Sequence, residues 1–469
     1  MVDTDTRIAR SYADAAPVPF WLDRPDAPGP CAPLDGDAVA DLAIVGGGFT
    51  GLWAAIQAKE DDPGRDVALL ERDTVAFGAS GRNGGFCDST LTHGLPNGIE
   101  RFPDEIDAIE SEAAANFRGM AEAIERYGID CDWRADGEML VAREPHEVAW
   151  CAEAGELLRR YGYESEVLDR DAVRAEVRSP TYLAGVVKGS GVAMVDPARL
   201  AWGLKAAALG LGVRIHEGTS VSAMRAEAAG LRLTTPAGTL DARRAILATN
   251  GFPPLVRAIR RYVVPVYDHV LMTEPLSDAQ WESVGWRRRQ GIGDMGNRFH
   301  YYRVSEDGRI LWGGHDANYH WRNAVAPELE QREATFAVLA EHFFDTFPQL
   351  EGIRFSHRWG GVIDTCSRFS VMFGTAFDRR AAYAVGYTGM GVGATRFGAR
   401  TALDLVDALD TPRTRLRMVS SKPMPFPPEP LRWTGITLTI RALARADRRQ
   451  GRRGPWLRLL DGLGLGFDS

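Results

Sequence analysis

The stretch DLAIVGGGFTG, residues 41–51, constrains this chain more than any other. A short apolar run (Ala43, Ile44, Val45) ends at three consecutive glycines, Gly46 to Gly48, and Gly51 follows three residues later. Leu52, Trp53, Ala54, Ala55, Ile56 and Ala58 then read as the first turns of a helix. Strand, glycine turn and helix N-terminus in that order let backbone N–H groups approach a pyrophosphate. Gly46 permits the tight turn, Gly48 the approach of the phosphate, and Gly51 the close packing of helix on strand. A second strand over 66–70 ends at Glu71, about twenty residues past the last glycine, where a carboxylate reaches a ribose hydroxyl. Glycine spacing alone is a weak signal in a chain with 50 glycines; the flanking strand and helix, with Glu71, make it specific. The stretch marks a dinucleotide site but does not choose between a nicotinamide and a flavin.

Composition bounds the rest. A chain of 469 residues exceeds one ordinary core, so two joined domains are expected. Its 45% hydrophobic and 25% charged content is that of a soluble globular protein. The net charge of −8 is uneven: residues 411–469 carry 12 Lys and Arg against 4 acids, which leaves the body strongly acidic. An acidic body argues against nucleic acid as a partner. The five cysteines are scattered and never form C-x-x-C, and the nine histidines show no ligand spacing. Neither a disulfide framework nor a metal site is expected, and a reducing compartment is favoured. The N-terminus lacks a basic segment followed by an apolar one, and no run reaches the ~18 apolar residues of a membrane span. A cytoplasmic protein without integral membrane contact, monomeric or a small homo-oligomer, is the expectation.

Along the chain, residues 1–36 read as an extended arm anchored by Trp21 and Leu22. Helical spacing predicts helices over 104–127, 146–162, 197–209 and 329–347, the last with Phe336, Leu339, Phe343 and Phe347 on one stripe. A further helix is expected to open near Thr395. Strands are expected over 129–142, 214–216 and 245–248, and through most of 262–315, with a hairpin turn at Asp307-Gly308.

VGGGFTGLWAA, GASGRNGGF, MVDPARL, ILATNG, RWGGVIDT and GYTGMGVGAT occur in this order. Together they resemble the D-amino-acid-oxidase-like FAD-dependent oxidoreductases, and among these the γ-glutamylputrescine-oxidase-like branch, over about residues 30–410. The resemblance implies a fold of class α/β plus α+β. A Rossmann-like FAD-binding domain of the glutathione-reductase type would be assembled from 37–103, 190–260 and 359–410. A mixed-sheet substrate-binding domain, 104–189 and 261–358, would be interleaved with it, and 411–469 would form a basic helical tail. It also implies that Gly46, Gly48, Phe49, Thr50, Gly51 and Glu71 hold the adenosine half of FAD, with Arg72 beside the adenine and Val221 contacting it. Ser80, Arg82, Asn83 and Gly84 would run along the ring and the pyrophosphate, with Thr249 and Asn250 at a strand end where ligands gather. Gly361 of the W-x-G element, and Gly389, Met390, Gly391, Val392, Gly393 and Thr395 in a second loop, would face the flavin.

The chemistry implied is hydride transfer from a carbon bearing an amine to flavin N5, with O2 as acceptor giving H2O2. A dehydrogenase serving a carrier or quinone, and a non-catalytic flavin-binding protein, are the alternatives. Three departures from relatives refine this. The arginine that grips an α-carboxylate in glycine-oxidase-like members falls on Ile363, followed by Asp364, which favours an amine lacking that group. The cysteine that anchors flavin in sarcosine-oxidase-like members is replaced in His357-Arg358-Trp359, so FAD is expected to be non-covalent. Leu311 stands where those relatives place an oxygen-assisting lysine, which leaves the acceptor open. Pocket candidates are Tyr301, Tyr302, His93 and Trp312, with Tyr267 and Arg303, although alternating sheet residues can equally pack a core. In the tail, Trp433, Ile436, Ile440 and Leu443 share one stripe and Arg441, Arg445, Arg448 and Arg449 another. That pattern suits packing on the acidic body or a partner, or attachment to an anionic surface; packing is preferred.

Overall fold

Ala38–Val45 lies inside an eight-stranded sheet, flanked by Gly238–Leu247 on one side and Val67–Leu70 on the other, both parallel to it. The computed structural model describes residues 4–466. Arg214–His216 extends the parallel order beyond Val67–Leu70, and Ala381–Val385 extends it beyond Gly238–Leu247. Met372–Ala376 closes that edge antiparallel, and an antiparallel pair, Ala223–Glu227 and Gly230–Thr235, branches from Gly238–Leu247. Parallel strands buried on both faces need continuous apolar sequence. Here Leu42 and Ile44 pack into the helix-covered core while Ala43 and Val45 pack into the core on the opposite face. Phe49–Asp61 lies against the first face beside Gly391–Val406 and Pro197–Gly210.

A second, nine-stranded sheet is mixed, with one parallel pairing between Gly291–Asp294 and Glu138–Ala142. Val263–Thr273 and Phe355–Cys366 run antiparallel along their whole lengths at one side of it. Glu333–Thr346 covers one face, burying Phe336, Leu339 and Phe343, with Phe347 just beyond, against Trp286, Tyr302 and Trp312. The hairpin joining His300–Val304 to Ile310–Gly314 turns at Gly308, whose φ is +79°.

Several expectations change. Within 1–36 the arm begins as a helix, Thr4–Tyr12, because Ile8 and Tyr12 fall on one side and are buried in the second core. Only Glu138–Ala142 of the 129–142 segment is strand. The helix expected near Thr395 opens at Gly391, four residues earlier, since Gly389 at φ +89° completes the turn before it. Phe355–Cys366 is a single strand of the second sheet, so residues 359–366 pair there rather than with the dinucleotide-binding sheet.

Leu431–Asp447 and Pro455–Gly462 form the tail and pack on the body. Tyr319 donates its hydroxyl to Glu429 Oε1 (2.7 Å), Asn297 Nδ2 donates to Asp447 Oδ1 (2.6 Å), and Arg101 Nη2 donates to the Gly466 carbonyl (2.8 Å). Among the described residues no helix is long and apolar enough to cross a membrane.

Candidate cofactor and substrate site

A cavity of about 1830 Å³ runs between the two sheets and is lined from both, with the tail helices completing its wall. That exceeds the roughly 300–1,000 Å³ of a single small-molecule pocket, so a large cofactor and a substrate fit end to end. At one end lies the glycine turn. Gly46 has φ +112°, and a Cβ there would stand 2.4 Å from the Ala248 carbonyl oxygen, so no other residue fits. A Cβ on Gly48 would meet Ser80 Oγ at 2.9 Å. Glu71 Oε2 accepts the Gly47 N–H (2.6 Å) and Oε1 the Asp73 N–H (2.9 Å), which fixes the carboxylate at the strand end; burial nonetheless pushes its pKa up. Ser80 Oγ accepts the Phe49 N–H (2.9 Å) at the helix N-terminus and keeps its own hydrogen for a ligand. A second helix N-terminus, at Gly391 and Val392, lines the same cavity. Two helix ends therefore offer partial positive charge to one space.

The 77–85 loop joins the two ends. Its carbonyls at Arg82 and Asn83 accept the indole N–H groups of Trp359 (2.9 Å) and Trp21 (3.0 Å). Asn83 uses its amide within the loop, donating to the Ala79 and Ser80 carbonyls and accepting the Gly85 N–H. Arg82 donates to Phe77 O (2.7 Å), Glu330 Oε2 (2.5 Å) and Gly360 O (3.1 Å), so its charge already has a carboxylate partner.

At the other end Tyr301 is clamped: a Cβ on Gly84 would stand 2.7 Å from its ring, and one on Gly313 would stand 2.6 Å from it. Its hydroxyl donates to Asp268 Oδ2 at 2.5 Å, while Asp268 Oδ1 accepts the His269 N–H at 2.8 Å. Desolvation pushes the Asp268 carboxyl up to about 6, and both of these donors are neutral. Asp364, 3% exposed, accepts the Gly386 and Tyr387 N–H groups at 2.5 and 3.2 Å, and burial pushes it up to about 7. A side recess holds Asp88, Glu110, Glu138, Tyr163 and Lys188. Lys188 Nζ bonds both oxygens of Asp88 (2.8 and 2.9 Å), and Tyr163 donates to Glu110 (2.6 Å). Ile436, Ile440, Leu443 and Leu460 of the tail, with Trp150 and Leu157, make the outer wall apolar.

A family model for FAD dependent oxidoreductases matches residues 41–405, most of the chain. The chain belongs to the FAD-dependent oxidoreductases. It is 31% identical over 389 residues to gamma-glutamylputrescine oxidoreductase of Escherichia coli, covering 80% of this chain and 85% of that protein. In fold it is similar to glycine oxidase from Geobacillus kaustophilus, with TM-score 0.66, 19% identity, and 80% and 96% of the two chains covered. L-proline dehydrogenase from P. horikoshii matches as well in shape (TM-score 0.65, 15% identity, 81% and 96% covered).

The residues present suit FAD: a glycine turn that a Cβ would fill, a fixed carboxylate at the next strand end and two converging helix N-termini. Of the residues expected to hold it, Gly46, Gly48, Phe49, Thr50, Glu71, Arg72, Ser80, Arg82, Asn83, Gly84, Val221, Thr249, Asn250, Gly361, Gly389, Met390, Gly391, Val392 and Thr395 line the cavity. Gly51 and Gly393 do not; a Cβ on either would strike a backbone oxygen, of Gly46 at 1.9 Å and of Asp88 at 1.8 Å, so they serve close packing. Arg82 and Asn83 are engaged by protein partners, so they shape the loop rather than offering free donors.

Of the pocket candidates, Tyr301, His93 and Tyr267 line the cavity. Tyr302 and Trp312 do not: they are paired across the hairpin, share the opposite face and lie fully buried in the second core, where Tyr302 bonds Tyr182 at 2.7 Å. Arg303 is also buried, and its Nη1 donates to the Val195 carbonyl (2.5 Å) behind the 77–85 loop. Sequence reasoning missed Asp268, although a lone acid inside the apolar run YVVPVYDHVLM was the available signal. It also missed a cluster of His300, His315 and His342, which come together although no metal site was expected from their spacing.

Proposed function

We propose that the protein oxidises a primary or secondary amine to an imine, with O2 as the final acceptor and H2O2 as its product. The supporting observation is Asp268: an anionic wall group beside the clamped Tyr301, held only by neutral donors, at the end of the cavity away from the glycine turn. A carboxylate so placed attracts an alkylammonium. The nearby cations are already engaged, Lys188 by Asp88 and Arg298 by Asp316 and Asp447, and Ile363 offers an α-carboxylate nothing. The relative named gamma-glutamylputrescine oxidoreductase supports the same substrate class.

When bound, FAD supplies the hydride acceptor for a C–H next to nitrogen. The chain's own tasks are three. Tyr301 accepts a proton from the substrate ammonium on its hydroxyl oxygen while passing its own proton to Asp268 Oδ2, leaving the amine neutral for oxidation. The clamp of Gly84 and Gly313 fixes the Tyr301 ring and so the amine's position. Apolar tail residues exclude water from the outer wall. FAD is held without a covalent bond: His357 bonds Ser356 and Asp23 away from the cavity, and the buried Cys366 thiol is engaged by the Ser370 carbonyl at 3.0 Å.

Anaerobic mixing with polyamines, γ-glutamylated amines, N-methyl amines and aminophosphonates tests this. One or more should bleach the flavin's visible absorbance, and air should restore it with H2O2 formed. Bleaching by α-amino acids alone would sink the amine reading, and slow reoxidation without peroxide would make the protein a dehydrogenase.

A further inference from the structure

His300 opens the strand His300–Val304, His315 follows the strand Ile310–Gly314, and His342 lies on the helix Glu333–Thr346. One ring nitrogen from each lies within 4.8 Å of the others. His300 Nε2 and His342 Nδ1 are 3.1 Å apart, and the rings of His315 and His342 meet edge to face at 4.5 Å. Two Zn–N bonds of about 2.0–2.1 Å at a tetrahedral angle put their nitrogens roughly 3.3 Å apart, close to that separation.

Further observations point the same way. His300 Nδ1 is bonded to Asp294 Oδ2 at 2.7 Å, which places the proton on Nδ1 and turns the Nε2 lone pair toward the other rings. Asp294 is itself held by Arg143 at 2.9 Å. His315 Nδ1 is buried without a hydrogen-bond partner, and its ring stacks on that of His300 at 5.1 Å. The nearby arginines do not leave the cluster positive, since Arg143 faces Asp294 and Arg298 faces Asp316 and Asp447.

We propose that His300, His315 and His342 bind a first-row divalent cation, Zn²⁺ being the best match to three imidazole ligands. Water supplies the fourth ligand from the substrate cavity, which His315 lines. The ion ties the helix Glu333–Thr346 to the strand carrying Tyr301, so Asp294 is a positioning residue for the ligand His300. Neither the oxidation reaction nor FAD is needed for this site, and the proposal stands apart from the functional reading.

The test is titration of chelator-treated, flavin-loaded protein with Zn²⁺ by calorimetry, with metal content measured after desalting. The expected result is about one Zn²⁺ per chain, lost in His342→Ala and in His315→Ala, and weakened roughly 10–100-fold in Asp294→Asn. His216→Gln, outside the cluster, should bind as the parent does. Retained flavin absorbance and a cooperative melt show that each variant is folded, and His342→Gln replaces any that is not. Absence of stoichiometric Zn²⁺ overturns the proposal and leaves a hydrogen-bonded chain from His342 through His300 to Asp294. Binding that survives both alanine substitutions also overturns it, since the ion would then sit elsewhere.

Discussion

Two residues carry most of the site's testable chemistry. At Gly46 a side chain is excluded twice, by the positive φ and by the Ala248 carbonyl oxygen, which would lie 2.4 Å from a Cβ. Gly46→Ala should purify with little or no FAD, read from the ratio of visible to ultraviolet absorbance, because the turn must open before the chain can accept the methyl group. Asp268 should set the acid limb of the pH profile. Its carboxyl is raised to about 6, so it is ionised above that pH and neutral below it. Amine kcat/KM should therefore rise through about pH 6 and level off. Asp268→Asn should lose that limb and raise KM by roughly 10–100-fold, the effect of removing a charged hydrogen-bond partner. The glycine turn at one end of the cavity was legible because such a turn leaves a mark in the sequence. Tyr301 and Tyr302 were not distinguished, because their different fates depend on which face of the sheet meets the cavity. The hairpin loop decides the faces: its three residues, Glu306 to Gly308, pair Tyr302 with Trp312 and Tyr301 with Gly313, whereas a two-residue turn at Asp307-Gly308 would have paired Tyr302 with Gly313.

At the scale of elements, the tail's apolar stripe is divided in its use. Ile436, Ile440 and Leu443 line the cavity, whereas Trp433 remains 39% exposed. Ile440→Glu should leave the flavin content intact and raise KM for amines with apolar substituents more than for small polar ones, as measured by initial rates across a homologous amine series. An equal effect on all substrates would mean that the stripe serves only to hold the tail. Helical spacing identified this stripe, but its target depended on the long-range contacts of Asp447 with Asn297 and Glu429 with Tyr319, which no local pattern encodes. The helix Glu333–Thr346 was easier to read, since its phenylalanines follow one stripe and enter one core.

Across the whole molecule, two sheets share one ligand space, so cofactor and fold should be coupled by mass action. Acid precipitation should release the flavin quantitatively into the supernatant as FAD, and adding FAD to the apoprotein should raise its melting temperature in proportion to the logarithm of concentration. Flavin retained in the protein pellet would show a covalent bond. That the chain holds two sheets, one of them built on the glycine turn, agrees with the fold class the resemblance implied. The crossing point could not be read in the sequence, because the motif RWGGVIDT follows the contacts it makes rather than the sheet that holds it.

The strand Phe355–Cys366 sets a rule for recombination. Its backbone is fixed along its length to Val263–Thr273, while Asp364 near its end grips the turn at Gly386 and Tyr387. A chimera that exchanges the substrate-facing sheet with a relative's and joins the chains just before Trp359 would divide one strand between two parents. Joining after Cys366 keeps that strand whole and transfers the grip on the turn at Gly386 and Tyr387 with it. The later junction should give soluble, yellow protein and the earlier one misfolded chain, a difference visible in the first spectra of parallel preparations.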